Sequence, residues 1–308
     1  MDEKIFYKFK NINDYTYDSL QNRYFYFSTP EKLNDPVDCK IPVIEDSSDE
    51  NITKWLKHVV ALSSAIGNST KGLENLTPEK FRLLVKSKKI DLVASAEKAN
   101  EKLHILSLTD CNTLINMWTH KDYCKNFSGI CIGYKAVKLQ DEYPNYYINI
   151  NNHNSNRTIE IPLKEKLPFF ILKKIEYDND RKHKFNMFEQ TYSKDFVEQI
   201  QNPAQNDIIM YNLFHKTHAW YKEQEYRGFY FNPVNGDDSR VYHPDEIVES
   251  ITFGKNCPNS ARKHIYEIMK TYSNFNEINF YEARPGWKKI KATIHPIDKN
   301  YGSIPNFV

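Results

Sequence analysis

The sequence predicts an α+β fold, with a mixed or antiparallel sheet core and helical insertions. Three observations carry this. Aromatic and β-branched runs of strand length recur from residue 5 to residue 294. Stretches with helical spacing of apolar residues fall between some of them. No internal repeat or low-complexity linker interrupts the chain. Hydrophobic residues make up 40% of the 308, enough for a packed core, and aromatic residues make up 14%, so much of that core is aromatic. The expected organisation is one compact domain over 1–308, with a helical insertion at about 50–102 and an irregular one at about 136–167.

Taken in order, residues 5–10 read as a short strand. A polar helical link follows, then an aromatic strand at 24–28 that stops at Thr29-Pro30. Residues 31–40 carry Asn34-Asp35-Pro36 and Asp38-Cys39. Asp before Pro is biased away from helix, so this is a fixed turn. Residues 47–51 read as loop, and helices are expected at 53–66 and 78–103, the second with Thr77-Pro78 as N-cap and first-turn pair. A buried strand at 105–108, a helix at 112–123 and a glycine-bounded apolar strand at 129–134 come next. Residues 140–166 are rich in Asn, Tyr and charge and read as irregular. A strand at 169–177, helices at 178–201 and 207–221, strands at 223–231 and 250–253, a helix at 259–269 and strands at 278–282 and 289–294 complete the chain.

The chain carries 42 basic and 40 acidic residues, a balance that argues against a general polyanion-coating protein. No apolar run reaches membrane-spanning length and the N-terminus lacks a signal-peptide pattern. The five cysteines form no C-x-x-C pair, so the expectation is reduced thiols in the cytoplasm, with neither a disulfide framework nor a zinc ribbon. There is no P-loop, no G-x-G-x-x-G and no G-x-S-x-G, which excludes P-loop NTPases, Rossmann dehydrogenases and serine hydrolases of the usual kinds.

The chemistry concentrates in KTHAWYKEQEYR, residues 216–227. Glu223, Glu225 and Arg227 are spaced by two, so on an extended segment all three leave one strand face. Unpaired buried charges are costly. The face is therefore either solvated, with Glu–Arg cross-pairing, or it works on something polar.

Four local patterns together resemble the bacterial domain-of-unknown-function family 2971. They are Tyr7-Lys8-Phe9; Phe27-Ser28-Thr29-Pro30 followed by Leu33-Asn34-Asp35-Pro36-x-Asp38; Met117-Trp118-Thr119-His120 followed by Gly129-Ile-Cys-Ile-Gly133; and Lys216, Trp220, Glu223, Glu225 and Arg227 followed by Ile251-x-Phe-Gly254. The resemblance implies a setting near toxin and phage-defence genes and, with it, a cognate inhibitor protein. A more distant similarity is to ADP-ribosyltransferase-like folds, which set a basic residue on an early strand, a Ser on a second and an E-x-E pair on a late one. Lys8, Ser28 and Glu223-x-Glu225 occur here in that order. Lys8 stands where Arg or His is usual, and Ser-Thr-Pro departs from Ser-Thr-Ser.

That similarity implies NAD as a substrate and a macromolecular acceptor, protein or nucleic acid, with no metal. Glu225 would stabilise the ribose cation, Glu223 would orient the acceptor, and Lys8 and Ser28 would complete the catalytic set. Tyr7, Asn34, Asp35, Trp118, His120, Trp220 and Arg227 are the expected binding residues. Each has a plainer reading. Lys8 is a surface cation, Ser28 ends a strand, Asn34, Asp35 and Asp38 form turns, Trp118 and Trp220 are core, and His120 ends a helix. Arg227 paired with Asp35 or Asp38 would pin the loop to the strand. A second function class is a metal-dependent nuclease or phosphodiesterase using Asp35, Asp38, Glu223 and Glu225 around Mg²⁺ with Lys222 or Lys8 nearby. A third is a non-catalytic nucleotide- or partner-binding domain.

Overall fold

The computed structural model describes residues 2–35, 38–39, 44–65, 69–94, 103–138, 146–150, 169–178, 188, 213–231, 239–286 and 290–297. These form an α+β structure around a largely antiparallel sheet. They divide into two compact units. The first comprises Met1–Ser28, His104–Tyr177 and Thr217–Val308, the second Thr29–Leu103 and Asp178–Lys216.

In the first unit the chain opens with strand β1 (Asp2–Lys10) and helix α1 (Asp14–Gln21), capped by the Asn13 side chain on the amide of Thr16. Strand β2 (Tyr24–Tyr26) follows. In the second unit lie α2 (Asp49–Ala65) and α3 (Pro78–Lys86), the latter capped by Thr77 as its sequence predicts. α2 begins inside the expected loop at 47–51. α3 is far shorter than the expected helix at 78–103, because Lys88 takes a left-handed conformation and Leu103 already belongs to a strand. Ile52, Leu56, Phe81, Val85, Leu92 and Phe188 form this unit's apolar cluster.

The first unit continues with β3 (Leu103–Thr109), the five-residue helix α4 (Ile115–Thr119), β4 (Ile130–Lys138), β5 (Tyr146–Asn149), β6 (Phe169–Lys174) and β7 (Glu176–Asp178). After β8 (His215–Thr217) come β9 (Glu225–Phe231), β10 (Arg240–Tyr242), β11 (Val248–Gly254), α5 (Asn259–Met269), β12 (Asn279–Pro285) and β13 (Ala292–Pro296). The helix expected at 112–123 shrinks to α4, since His120 is already extended (φ −68°, ψ 141°); beyond it Lys125, Asn126 and Phe127 are left-handed and turn the chain back. β5 falls in the expected irregular insertion, whose residues 139–145 and 151–168 lie outside the described ones, as do 179–187 and 189–212 of the two expected helices. Residues 213–214 are helical, and from 215 to 221 the chain forms β8 and a 3-10 turn (His218–Glu223) in place of the expected helix.

The nine-stranded sheet runs β1-β3-β9-β6-β5-β4-β11-β12-β13, and β1 also pairs along its whole length with β4. That pairing closes six strands into a ring from which β11, β12 and β13 extend. One face carries Phe6, Leu106, Leu108, Ile132, Tyr134, Leu172, Tyr226 and Ile251, packed with Leu20 of α1 and Ile265 and Met269 of α5. On the opposite face Phe9, Cys131 and Ala283 pack with Met117 and Trp118 of α4 and with Phe127. Side chains alternate between the two faces along every strand.

Candidate functional site

The polar residues singled out by sequence gather on the second of these faces. Tyr226 lies in the main core, so Glu225 and Arg227 on either side of it leave β9 on the opposite face. β3 neighbours β9, and its Leu106 and Leu108 are likewise core, so Ile105 and Thr109 share the face of Glu225. Ser28 bridges Ile105 and Tyr7 pairs with Thr109. Paired residues point the same way. Tyr7, Ser28, Glu225 and Arg227 therefore share one face across adjacent strands. Lys8 leaves the other face, with Phe6, and its Nζ donates to the Ser107 carbonyl at 2.8 Å. Strand alternation thus sets Lys8 apart from these four.

Glu223 does not share a strand with Glu225. It ends the 3-10 turn, and Gln224 between them is left-handed (φ 48°), so the spacing of two does not act as a strand period here. Nor is the face solvated. Glu223 is 7% exposed, Glu225 3% and Arg227 fully buried. Burial at this level requires partners. Glu225 Oε1 accepts from Arg227 Nε at 3.0 Å and Nη2 at 2.8 Å, a forked ion pair within one strand. The Glu225 amide donates to the Tyr177 hydroxyl at 2.8 Å. Glu223 Oε1 accepts from the Tyr123 hydroxyl at 2.6 Å. The carbonyl of Lys222 accepts from Asn116 Nδ2 at 3.3 Å, joining the 3-10 turn to α4.

Trp118 is fully buried, stacked on Phe127 at 5.6 Å and edge-on to Phe9, with its indole N–H on the Asn112 carbonyl. These contacts hold α4 on the sheet. His120 is exposed, 3.5 Å from Asp122 and tilted against the ring of Tyr123. Trp220 is half-buried in the 3-10 turn. The Tyr7 hydroxyl has its pKa pushed up to about 12, first by burial and then by nearby Cys131, Glu249, Tyr281 and Cys111.

Asn34 and Asp35 belong to the second unit, Asn34 exposed and Asp35 buried. There Asp38 pairs with Lys216 at 3.6 Å, both nearly inaccessible. This pair ties Asp38 to β8. Among the described residues no group of three or more His, Cys, Asp or Glu side chains is arranged to hold a metal ion. Tyr123 and Tyr177, which hold the two glutamates, escaped the sequence reading. Nothing in their spacing marks them, and only the return of the chain after α4 brings Tyr123 to Glu223.

Fold and site define the protein as an α+β protein with two buried carboxylates, Glu225 on β9 and Glu223 in the 3-10 turn before it. Residues 117–228 match the family described as Protein of unknown function (DUF2971), the one the four sequence patterns resemble. The match spans the third pattern and the charged part of the fourth. No curated protein and no solved structure matches the chain.

Proposed function

We propose that the protein cleaves the nicotinamide–ribose bond of NAD and passes the ADP-ribosyl group to water or to a protein or nucleic-acid acceptor. What supports this is the pair of buried carboxylates on consecutive elements, Glu223 held by Tyr123 and Glu225 by Arg227, beside Tyr7 and Ser28. In the step, the bond from ribose C1′ to the nicotinamide nitrogen breaks and its electron pair neutralises the ring. Positive charge develops on the ribose, where a pre-oriented carboxylate is worth most. Glu225 supplies it, with Arg227 preventing its rotation. An oxygen of water or acceptor then bonds to C1′, and its proton passes to Glu223. Lys8 has no part at the reacting centre. The toxin or phage-defence setting and a cognate inhibitor belong to the same proposal.

The test is nicotinamide release from NAD, with and without cell lysate as acceptor source. Glu225→Gln is expected to reduce all cleavage by on the order of 10² or more. Glu223→Gln and Tyr123→Phe are expected to reduce transfer to the acceptor more than hydrolysis. A wild-type protein with no NAD turnover under any condition, or a folded Glu225→Gln that is fully active, overturns the reading in favour of a non-catalytic binder or a nuclease.

A further inference from the structure

The 3-10 turn His218–Glu223 ends in the buried Glu223, but the rest of it is surface. His218, Ala219, Tyr221 and Lys222 are exposed and Trp220 is half-buried. Two of these residues form one aromatic unit. The Tyr221 ring lies parallel to the His218 imidazole, with centroids 4.7 Å apart and an interplanar angle of 15°. Their spacing of three sets both side chains on one side of a 3-10 turn. Elsewhere among the described residues the stacked pairs are buried, as in Trp118–Phe127 and Phe253–Phe280. Those pairs fill the core. This one leaves Tyr221 46% exposed, so a flat ring surface faces water.

Cations flank the ring pair. Lys222 Nζ stands 6.0 Å from the centre of the Tyr221 ring. The bonds from Asn116 to the Lys222 carbonyl and from Tyr123 to Glu223 fasten the turn to residues 116–123, which carry Lys121. Lys125 follows in the left-handed reversal. All three lysines are exposed, and none forms an ion pair among the described residues. The exposed acid of residues 116–126 and 218–224 is Asp122, 3.5 Å from His120. The chain as a whole is balanced, with 42 basic and 40 acidic residues, so the excess here is local. Flat rings beside lysines match a strand of nucleic acid, whose bases stack on the rings while its phosphates meet the ammonium groups. A duplex hides its base faces, so the strand must be single. An acidic peptide would use the lysines and leave the rings idle.

We propose that His218, Tyr221 and Lys222, bordered by Lys121 and Lys125, form a binding surface for single-stranded nucleic acid and present that strand to Glu223. Binding stands on this surface alone, whereas the acceptor role rests on the proposed NAD chemistry. In that step an O–H or N–H of the strand bonds through its oxygen or nitrogen to ribose C1′. Nicotinamide leaves with the electron pair of the broken bond, and the proton passes to Glu223. The acceptor is then a nucleic acid and not a protein.

Fluorescence anisotropy of the full chain with short labelled oligothymidylate, oligouridylate, a blunt DNA duplex and polyglutamate tests binding without NAD. Wild type is expected to bind at least one single strand about tenfold more tightly than the duplex or polyglutamate. Tyr221→Ala should weaken that binding about tenfold, the worth of one stacked base, while Tyr221→Phe should keep it within about twofold. Lys222→Gln should lower the slope of log affinity against log salt by about 0.7, the share of one phosphate contact. The surface is overturned if neither single strand binds, if Tyr221→Ala binds as wild type does, or if polyglutamate binds as tightly as the strands. Label from NAD that reaches lysate protein and no oligonucleotide overturns the acceptor role. Tyr221-dependent oligonucleotide binding without NAD turnover leaves the surface standing and sinks the proposed function. NAD turnover with no oligonucleotide binding does the reverse.

Discussion

Glu225 and Arg227 illustrate how far burial changes the meaning of a charge. Read as a solvated pair they contribute little; enclosed, their forked ion pair counts for far more. Removing one partner of such a pair leaves the other charge buried, at a cost of about 3–5 kcal/mol, while replacing both by apolar groups is far milder. Arg227→Met is accordingly expected to lower unfolding free energy by about that amount in urea. A single variant as stable as wild type would contradict the pairing. Two core-face groups set a pH signature. Burial pushes His243 down to about 4 and Lys10 down to about 7. Lys10 is also lowered by neighbouring Lys8, and its Nζ donates to Ser19 Oγ at 2.6 Å. Both are depressed bases, so between folded and unfolded pKa the unfolded chain binds more protons, and stability rises with pH. The windows run from about 4 to 6.5 for His243 and from about 7 to 10.5 for Lys10. Lys10→Met should flatten only the upper one in urea titrations at stepped pH.

At the scale of elements, left-handed residues decide where helices stop and how the glutamates are separated. Gln224 at φ 48° ends the 3-10 turn and starts β9. A β-branched residue resists that conformation and glycine does not. Gln224→Gly is expected to raise unfolding free energy by about 0.5–1 kcal/mol, or at least to be neutral, and Gln224→Val to lower it by about 1–2 kcal/mol. Equal effects of the two would show that the turn is not held in this conformation in solution. The same device recurs after α4, where Lys125, Asn126 and Phe127 reverse the chain and send the amide of Phe127 back to the carbonyl of Trp118 at 2.7 Å. Helical periodicity in residues 112–123 is real, but it is outweighed here by Phe127 stacking on Trp118 and closing the chain over the sheet.

For the whole molecule, the division into two compact units means that a defect can stay local. Asp38 and Lys216 pair within the second unit at 1% and 3% exposure. Asp38→Asn removes one charge of this buried pair and should raise hydrogen exchange of the α2 and α3 amides, with those of β4 and β11 keeping their protection. An equal loss in both sets would mean that the units unfold together.

Strand and helix identities along most of the described chain were legible from local pattern. The apolar run 129–134 became the central strand β4, Thr77-Pro78 capped α3, and the α+β class followed from strands scattered through the chain. Those features depend on neighbours a few residues away, which a sequence displays. The grouping of Tyr7, Ser28, Glu225 and Arg227 was legible as a list of unusual residues, but their shared face was not. It depends on register, and a register is a relation between strands far apart in the chain. Register put Lys8 on the wrong side and Gly133 opposite Ser250. A left-handed Gln224 broke a spacing that looked like a strand period. The sequence by itself determined which residues are chemically equipped. Tertiary structure alone decided which of them meet, because burial and pairing are set by chain segments that no local window contains.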